Sequence, residues 1–135
     1  MVCWYKRLNP TILVIDDEPD MLWVLESVLR SNNFDVFRAS TGAEALAIAP
    51  QTEFEIAFLD AKLPDMEGLE IARLLKVSHP STKIIMISGY YYEHDDKIQE
   101  ALRTGLIVHF IPKPFSNAAI VDAVKSARLL SQPSA

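Results

Sequence analysis

Five short apolar runs alternate with five helical patterns along this chain, and this alternation narrows the folds that are open to it. Two of the runs, Ile12–Ile15 and Ile56–Leu59, are apolar at every position, which is typical of strands that are covered on both faces. Strands that alternate with helices predict βα units and therefore a parallel sheet. The alternation leaves the strand order open. The predicted strands are residues 11–16, 34–39, 55–60, 83–87 and 107–111.

The helical patterns begin and end on recognisable signals. Thr41 followed by Glu44 predicts a capping box, and Gly105 predicts the end of a helix because glycine readily adopts a left-handed backbone. Proline at the first helical position, as at Pro19, is also favourable. The five helices are expected to follow Pro19–Asp20, Thr41, Gly68, His94–Asp96 and Ser116.

Length and composition predict one globular domain. The chain has 135 residues, half of them hydrophobic, and a formal net charge of -5 without a basic block, which disfavours direct nucleic-acid binding by this domain. A single cysteine fits a reducing compartment, and no apolar stretch approaches the length of a membrane span. We therefore expect a cytoplasmic protein that does not enter a membrane. The expected divisions are residues 1–10, an N-terminal tail; 11–130, the domain; and 131–135, a C-terminal tail or the start of a linker.

Polar side chains with complementary chemistry follow four of the predicted strands. Asp16 and Asp17 follow the first strand, Asp60 ends the third, Ser88 follows the fourth and Lys113 follows the fifth. A buried strand seldom ends in a charged group unless that group meets solvent or belongs to a site. Because the carboxyl ends of parallel strands meet at one edge, these side chains predict a metal and phosphoryl site.

Together these motifs resemble the receiver domain of two-component response regulators, the CheY-like family, over residues 11–130. The matching motifs are the acid pair Asp16–Asp17, Asp60 with Pro64 and Gly68 behind it, Ser88–Gly89, and Lys113–Pro114–Phe115. The resemblance implies a flavodoxin-like, doubly wound α/β fold, with a five-stranded parallel sheet in the order 2-1-3-4-5 and five helices. It also implies a signalling domain and not an enzyme.

By this resemblance Asp60 is the phosphoacceptor, since a carboxylate can take a phosphoryl group as a mixed anhydride. Three crowded carboxylates repel one another, by roughly 4 kcal/mol for a pair about 4 Å apart at an effective dielectric near 20. A divalent cation removes that repulsion, and an open site of hard oxygens favours Mg²⁺, with Mn²⁺ as a substitute. The resemblance implies that Asp17 and Asp60 bind the metal directly, Asp16 through water, and Lys62 through its backbone carbonyl.

The remaining roles are also carried over from the family. Ser88 is the switch hydroxyl that donates to the phosphoryl group, and Gly89 leaves room for that group. Lys113 pairs with the acceptor and then with its phosphate, and the Lys113–Pro114 bond is cis in the family. Phe110 has the place of the switch aromatic residue.

The family implies a partner and an output surface. The partner is a sensor histidine kinase or a phosphotransfer protein, and phosphorylation switches the surface of helix 4, strand 5 and helix 5. Many members form homodimers through that surface with an acidic pair before the switch aromatic. Here Val108 and His109 stand in those positions, which puts the charge-paired homodimer in doubt.

Two side chains are predicted to tune dephosphorylation. Lys62 and Tyr90 occupy the positions that border the path of the attacking water, and both are large. We therefore expect them to obstruct that path and give a long-lived phosphorylated state.

Two other functions stay open. The chain can be a receiver-like interaction module that is never phosphorylated. It can also be an aspartyl-phosphate hydrolase of the haloacid-dehalogenase type, although that family requires an Asp-x-Asp pattern after the first strand, where this chain has adjacent Asp16 and Asp17.

Several conspicuous residues are interpreted without a functional role. Trp23 is expected to pack against the domain, and His79 and His94 are expected to be solvated in polar turns. The run Tyr90–Tyr92 is either a patch for a partner or a loop that covers the site.

Overall fold

The computed structural model describes residues 10–89 and 95–130. Five strands alternate with five α-helices, and a short 3₁₀ turn extends the second helix. The strands are β1 (Thr11–Ile15), β2 (Asp35–Ala39), β3 (Ile56–Asp60), β4 (Lys83–Ser88) and β5 (His109–Pro112). The helices are α1 (Pro19–Ser31), α2 (Gly42–Ile48), α3 (Gly68–Ser78), α4 (Asp96–Thr104) and α5 (Asn117–Leu130), and the 3₁₀ turn is Ala49–Gln51.

The strands form one parallel sheet in the order β2-β1-β3-β4-β5, which confirms the predicted doubly wound α/β fold. The crossover after β2 makes β1 and β3 neighbours. Ile15 pairs with Leu59 in this register, so the next residues, Asp16 and Asp60, lie side by side at the carboxyl edge. Asp60 in turn pairs with Ile87 of β4. The strand order therefore gathers the polar strand ends at the switch point of the sheet.

Two apolar cores lie on opposite faces of the sheet. Alternate residues of β1 show this division, because Val14 packs in the core beneath α1 and α5 while Leu13 packs in the core beneath α2, α3 and α4. Phe58 and Leu59 of β3 divide in the same way. With both faces covered, the central strands are fully buried, which explains their uninterrupted apolar sequences.

Most helix ends agree with the sequence signals. The Thr41 hydroxyl accepts a hydrogen bond from the Glu44 amide at 3.0 Å, but the Glu44 carboxylate accepts from the Ser40 amide at 2.6 Å and not from that of Thr41. Gly105 ends α4 with a left-handed backbone at φ 80°. Ser116 accepts from the Ala119 amide at 3.2 Å and caps α5.

The fifth strand begins later than predicted. The Ile107 amide donates to the Ala101 carbonyl of α4 at 3.2 Å, so it does not join the ladder with β4. Val108 then donates to Ile84 at 2.8 Å. The chain therefore joins the sheet only beyond Ile107, whose amide is already bonded to the end of α4.

Two predictions about aromatic residues are wrong. Trp23 is 67% exposed, because it lies off the α1 face that buries Leu22, Leu25 and Leu29. His79 is buried, and its ring nitrogens bond to the Ser78 hydroxyl and the Thr52 carbonyl.

Other predictions fall outside the described residues. His94, Tyr90–Tyr92 and most of the two tails are among them, so the domain limits 1–10, 11–130 and 131–135 stay predictions. Among the described helices, none combines the length and apolar composition that a bilayer crossing requires.

Candidate functional site

Three carboxylates converge at the carboxyl ends of β1 and β3. Asp16, Asp17 and Asp60 each offer one oxygen, and these oxygens all lie within 4.8 Å of one another. Asp16 and Asp60 are buried, whereas Asp17 is exposed. A single divalent cation could therefore contact all three groups while keeping water on its open side, which is the coordination that Mg²⁺ prefers. The donor set fits the predicted metal.

Lys113 approaches this cluster from the end of β5. Its Nζ atom lies 3.0 Å from Glu18 Oε1, 3.3 Å from Asp16 Oδ2 and 3.7 Å from Asp60 Oδ2. The Lys113 amide donates to the Ser88 carbonyl at 3.0 Å, which fixes the lysine beside the end of β4. The Lys113–Pro114 peptide bond is cis. The ammonium group is thus shared among carboxylates and lies close to Asp60.

Burial and mutual repulsion shift the ionisation of the cluster. Desolvation, and then the charge of Asp16, raise the pKa of Asp60 to about 7, against the opposing effect of Lys113. Desolvation also raises the pKa of Asp16, although the Glu18 amide and Lys113 oppose it. Burial disfavours the charged amine, but the Glu18 hydrogen bond and the charges of Asp16 and Asp60 outweigh it and raise the pKa of Lys113. The site therefore has an excess of negative charge that one lysine does not balance.

Gly68 sets the path of the loop that leads from Asp60 to α3. A Cβ atom on Gly68 would lie 2.5 Å from the Asp60 carbonyl oxygen and 2.8 Å from the Ala61 Cα, and both are backbone atoms that cannot rotate away. The Gly68 amide donates to the Ala61 carbonyl at 2.8 Å. Only glycine permits this close approach, so the start of α3 packs directly against the end of β3.

Lys62 lies in the same loop. Its amide donates weakly to Asp60 Oδ1 at 3.4 Å, and its Nζ atom pairs with Glu67 Oε2 at 3.1 Å. The side chain of Lys62 therefore already has an anionic partner within the loop.

The other predicted site residues take these positions. Ser88 is buried at the end of β4, and a Cβ atom on Gly89 would be 3.6 Å from the Lys113 Cβ atom, an ordinary contact. Phe110 is half-buried in the core beneath α4. Tyr90 lies outside the described residues. The structure thus gathers Asp16, Asp17, Asp60 and Lys113 into contact or near contact, with Ser88 on the adjoining strand.

The two predicted dimer positions lie at the start of the edge strand, with Val108 directly before β5 and His109 as its first residue. Val108 and His109 are half-buried, and Val108 packs against the core beneath α5. The Nε2 atom of His109 is buried without a hydrogen-bond partner in the part of the chain that the structure describes.

Sequence reasoning missed the contacts of two acidic residues, Asp65 and Glu18. Asp65 accepts hydrogen bonds from the Gly42 and Ala43 amides, both at 2.9 Å, and so caps α2 from a distant loop. These backbone bonds lower the pKa of Asp65. Glu18 contacts Lys113 across the site. The position of Glu18, directly after the acid pair, was the available signal; for Asp65 the sequence holds no local signal.

Comparisons with known proteins agree with this geometry. A family model described as the response regulator receiver domain matches residues 12–125. Sporulation initiation phosphotransferase F of Bacillus subtilis is 34% identical over 118 residues, which cover 87% of this chain and 93% of that protein. Regulatory protein VanR of Enterococcus faecium is 34% identical over 122 residues, 88% of this chain but only 50% of that protein.

A solved structure supports the same assignment. The CheY-like response regulator receiver domain protein from Methanospirillum hungatei JF-1 superposes with a TM-score of 0.84 at 27% identity, covering 91% of this chain and 96% of that one. Other relatives are much longer, since the chain spans 27% of response regulator protein PilR of Pseudomonas aeruginosa and 12% of sensor kinase CckA of Brucella abortus. With its sheet order, acidic cluster and matched residues, the chain belongs to the response regulator receiver domain family of two-component systems.

Proposed function

We propose that this domain accepts a phosphoryl group on Asp60 in a Mg²⁺-dependent reaction, and that the modification switches the surface of α4, β5 and α5 to control an output. The observation that carries the proposal is the position of Asp60. It is a buried carboxylate at a strand end, grouped with Asp16 and Asp17 and 3.7 Å from the Lys113 ammonium. A buried acid with such neighbours is favourable for chemistry and unfavourable for stability.

In the proposed reaction an Asp60 carboxylate oxygen attacks the phosphorus of the donor. A phosphorus–oxygen bond forms, and the bond to the donor's leaving group breaks with its electron pair going to that group. A Mg²⁺ ion would supply positive charge for the phosphoryl oxygens. Asp17 and Asp60 would hold it directly, Asp16 through water, and Lys62 through its carbonyl oxygen. Burial of Asp60 leaves it weakly solvated, which favours its use as a nucleophile.

Lys113 and Ser88 would bind the new phosphoryl group. The Lys113 ammonium is already within an ion-pair distance of the acceptor, so a short movement would bring it to a phosphoryl oxygen. Ser88 ends the neighbouring strand, and its carbonyl accepts from the Lys113 amide. Recruitment of either side chain would therefore pull on β4 and β5 together, and Phe110 of β5 packs against the core that α2, α3 and α4 cover. This linkage is the route proposed for the switch.

The decisive experiment is phosphorylation by acetyl phosphate with Mg²⁺, followed by mass spectrometry of the intact protein. We expect one phosphoryl group on the wild type and none on Asp60→Asn. Asp35→Asn, which changes an exposed aspartate of β2, is the matched control and should be modified like the wild type. Equal modification of Asp60→Asn would remove Asp60 as the acceptor. Failure of the wild type under the same conditions would favour the module that is never phosphorylated.

Propagation needs a separate measurement. Hydrogen exchange with and without beryllofluoride, a mimic of the phosphoryl group, should change protection in residues 97–102 and around Phe110. A response limited to the loops that carry Asp17, Asp60 and Lys113 would contradict the proposed output surface.

The phosphodonor is proposed to be a histidine kinase or a phosphotransfer protein, in the cytoplasm, with no role for nucleic acid or membrane. Receiver domains are in general signalling modules and not catalysts. The hydrolase alternative predicts steady release of phosphate from a stable phosphoester, which can be tested directly.

A homodimer through α4, β5 and α5 is also proposed. It would form without the acidic pair that many family members use, because Val108 and His109 stand in those positions. Sedimentation with and without beryllofluoride tests it.

We propose that Lys62 and Tyr90 slow dephosphorylation of the domain by obstructing the path of the attacking water. Lys62→Asn combined with Tyr90→Ala should accelerate loss of the phosphoryl group roughly tenfold, about 1.4 kcal/mol of barrier. The decay is followed after excess donor has been removed, and a rate that is unchanged or slower would contradict the obstruction.

A further inference from the structure

Among the residues that the structure describes, the carboxylate nearest to the Lys113 ammonium belongs to Glu18 and not to the acceptor. Glu18 Oε1 is 3.0 Å from Nζ, against 3.3 Å for Asp16 and 3.7 Å for Asp60. Glu18 is also the outermost of these groups, since its side chain is 61% exposed while that of Asp16 is 1% exposed. The lysine is therefore attracted to Glu18 at the exposed rim of the site as well as to Asp16 and Asp60 on its buried floor.

The carboxylate of Glu18 does not cap its own helix, α1. Glu18 is the residue that caps the start of α1, yet its side chain makes no capping hydrogen bond. Its backbone is extended at φ -92° and ψ 116°, a conformation that the following Pro19 favours. Its amide donates to Asp16 Oδ1 at 2.9 Å, which ties its backbone to the site. The side chain instead pairs with Lys113, 95 positions away.

This pairing bears directly on phosphoryl transfer. An incoming donor brings negative charge, and as the bond from Asp60 to phosphorus forms and the bond to the leaving group breaks, the equatorial oxygens keep that charge. The ammonium must then turn from carboxylates to these oxygens. Asp16 lies on the floor of the site and does not draw it away. Glu18 lies on the rim, and it both competes for the ammonium and repels an anionic donor.

We propose that Glu18 is a positioning residue that holds the Lys113 ammonium toward the rim of the site and thereby slows phosphorylation of Asp60 and weakens binding of the phosphoryl group. The proposal rests on the proposed function, because it concerns the rate of that same reaction. The Glu18 hydrogen bond is also the largest of the effects that raise the pKa of Lys113, as expected for a close partner.

The test compares Glu18→Gln with Asp20→Asn, which removes one charge from the exposed first turn of the same helix. Phosphorylation by acetyl phosphate is followed over a range of donor concentrations. We expect Glu18→Gln to react about threefold faster than the wild type and to bind beryllofluoride about threefold more tightly, as suits an ion pair with one exposed partner. Asp20→Asn should change both quantities much less, because its charge is not paired with Lys113.

A double-mutant cycle shows whether Glu18 acts through the lysine. In a Lys113→Met background, Glu18→Gln should no longer alter the rate or the affinity for beryllofluoride. A second readout needs neither donor nor metal: the NMR signal of the Lys113 side-chain ammonium should shift in Glu18→Gln and stay in place in Asp20→Asn.

Several results would overturn this role for Glu18. They are a Glu18→Gln rate equal to or slower than that of the wild type, an equal acceleration in Asp20→Asn, or an acceleration that persists without the lysine. None of these outcomes would affect Asp60 as acceptor. A wild-type protein that is not phosphorylated at all would instead contradict the proposed function, while the NMR comparison would still report on the ion pair.

Discussion

Asp60 and Asp65 belong to one short stretch of chain between β3 and α3, yet their carboxylates have opposite surroundings. Asp60 is buried beside two other acids, and burial and repulsion raise its pKa to about 7. Asp65 is exposed and accepts two backbone amides at 2.9 Å, which lower its pKa. The Asp60 carboxylate is kept away from the water that would stabilise its charge. The Asp65 carboxylate is stabilised by the backbone amides that it accepts from. An acid whose surroundings oppose its charge is the better candidate for chemistry, and its neighbour serves structure.

The largest expected effect comes from Gly68, which lets the start of α3 pack against the backbone of Asp60. Gly68→Ala should lower the Tm by about 10 °C, since the new methyl group must displace backbone that cannot rotate aside. Thermal unfolding with a chelator measures it. Gly89→Ala is the matched control, because within the described residues its added carbon would approach Lys113 alone, at an ordinary 3.6 Å. Equal stability of both variants would mean that the loop relaxes freely.

Removing the structural acid should be the next most damaging change. Asp65→Ala leaves the Gly42 and Ala43 amides without their partner at the start of α2, and we expect the Tm to fall by about 5 °C. Asp65→Asn keeps one acceptor oxygen and should lose less. A stability equal to that of the wild type in Asp65→Ala would end the distinction between the two acids.

Removing the proposed acceptor, Asp60, should change the stability in the opposite direction. Asp60→Asn relieves burial of a charge and its repulsion by Asp16, and it forfeits only the weaker attraction of Lys113. The metal-free variant should therefore melt about 3 °C higher than the wild type at pH 8. The matched control is Asp35→Asn, which should not be stabilised. A destabilised Asp60→Asn would show that the attraction of Lys113 outweighs the repulsion.

The dependence on pH separates the two acids further. Asp60 has a raised pKa, so the folded state holds its proton more tightly, and stability is lost as the pH rises from about 4 to about 7. The advantage of Asp60→Asn should thus be nearly absent at pH 3, grow through pH 5 and be complete at pH 8. Asp65 has a lowered pKa, so its contribution is present above the ordinary aspartate value and is lost as the pH falls through the folded value. Metal-free melting curves from pH 3 to pH 8 test both signs.

The smallest expected effect is stabilisation by Mg²⁺. At a concentration equal to its Kd, a ligand adds about 0.4 kcal/mol to the free energy of unfolding, a rise in Tm of about 2 °C. Asp17→Asn should lose this rise because a metal ligand is gone, and Asp65→Asn should keep it. A rise that survives in Asp17→Asn would contradict the assignment of the metal site.

The sequence was sufficient to predict the positions of residues that end or directly follow a strand. Parallel strands share one carboxyl edge, so Asp16, Asp60, Ser88 and Lys113 could be assigned to it before any geometry was known. The beginning of β5 could not be, because it depends on a bond between Ile107 and Ala101 of α4. Trp23 could have been placed correctly, since the spacing of Leu22, Leu25 and Leu29 already defines the buried face of α1.

The contacts that side chains make with a distant element could not be predicted from the sequence, and the reason is the same in each case. Glu18 meets Lys113, Asp65 meets α2, and His79 meets the Thr52 carbonyl, at separations of 95, 22 to 23, and 27 positions. No local propensity encodes such contacts, because each depends on how complete elements pack. A polar residue in a turn is solvated by default, and only the packed structure reveals its partner.

The distance along the chain between Asp16 and Lys113 also matters for biosynthesis. These residues are 97 positions apart, and the lysine follows the last strand, so a ribosome releases the carboxylates of the site well before their cation. A nascent chain in which β1 and β3 have paired but β5 has not docked carries those acids without a counter-charge. Closing so long a loop is slow. A divalent cation bound by these acids would supply the missing positive charge to such an incomplete chain.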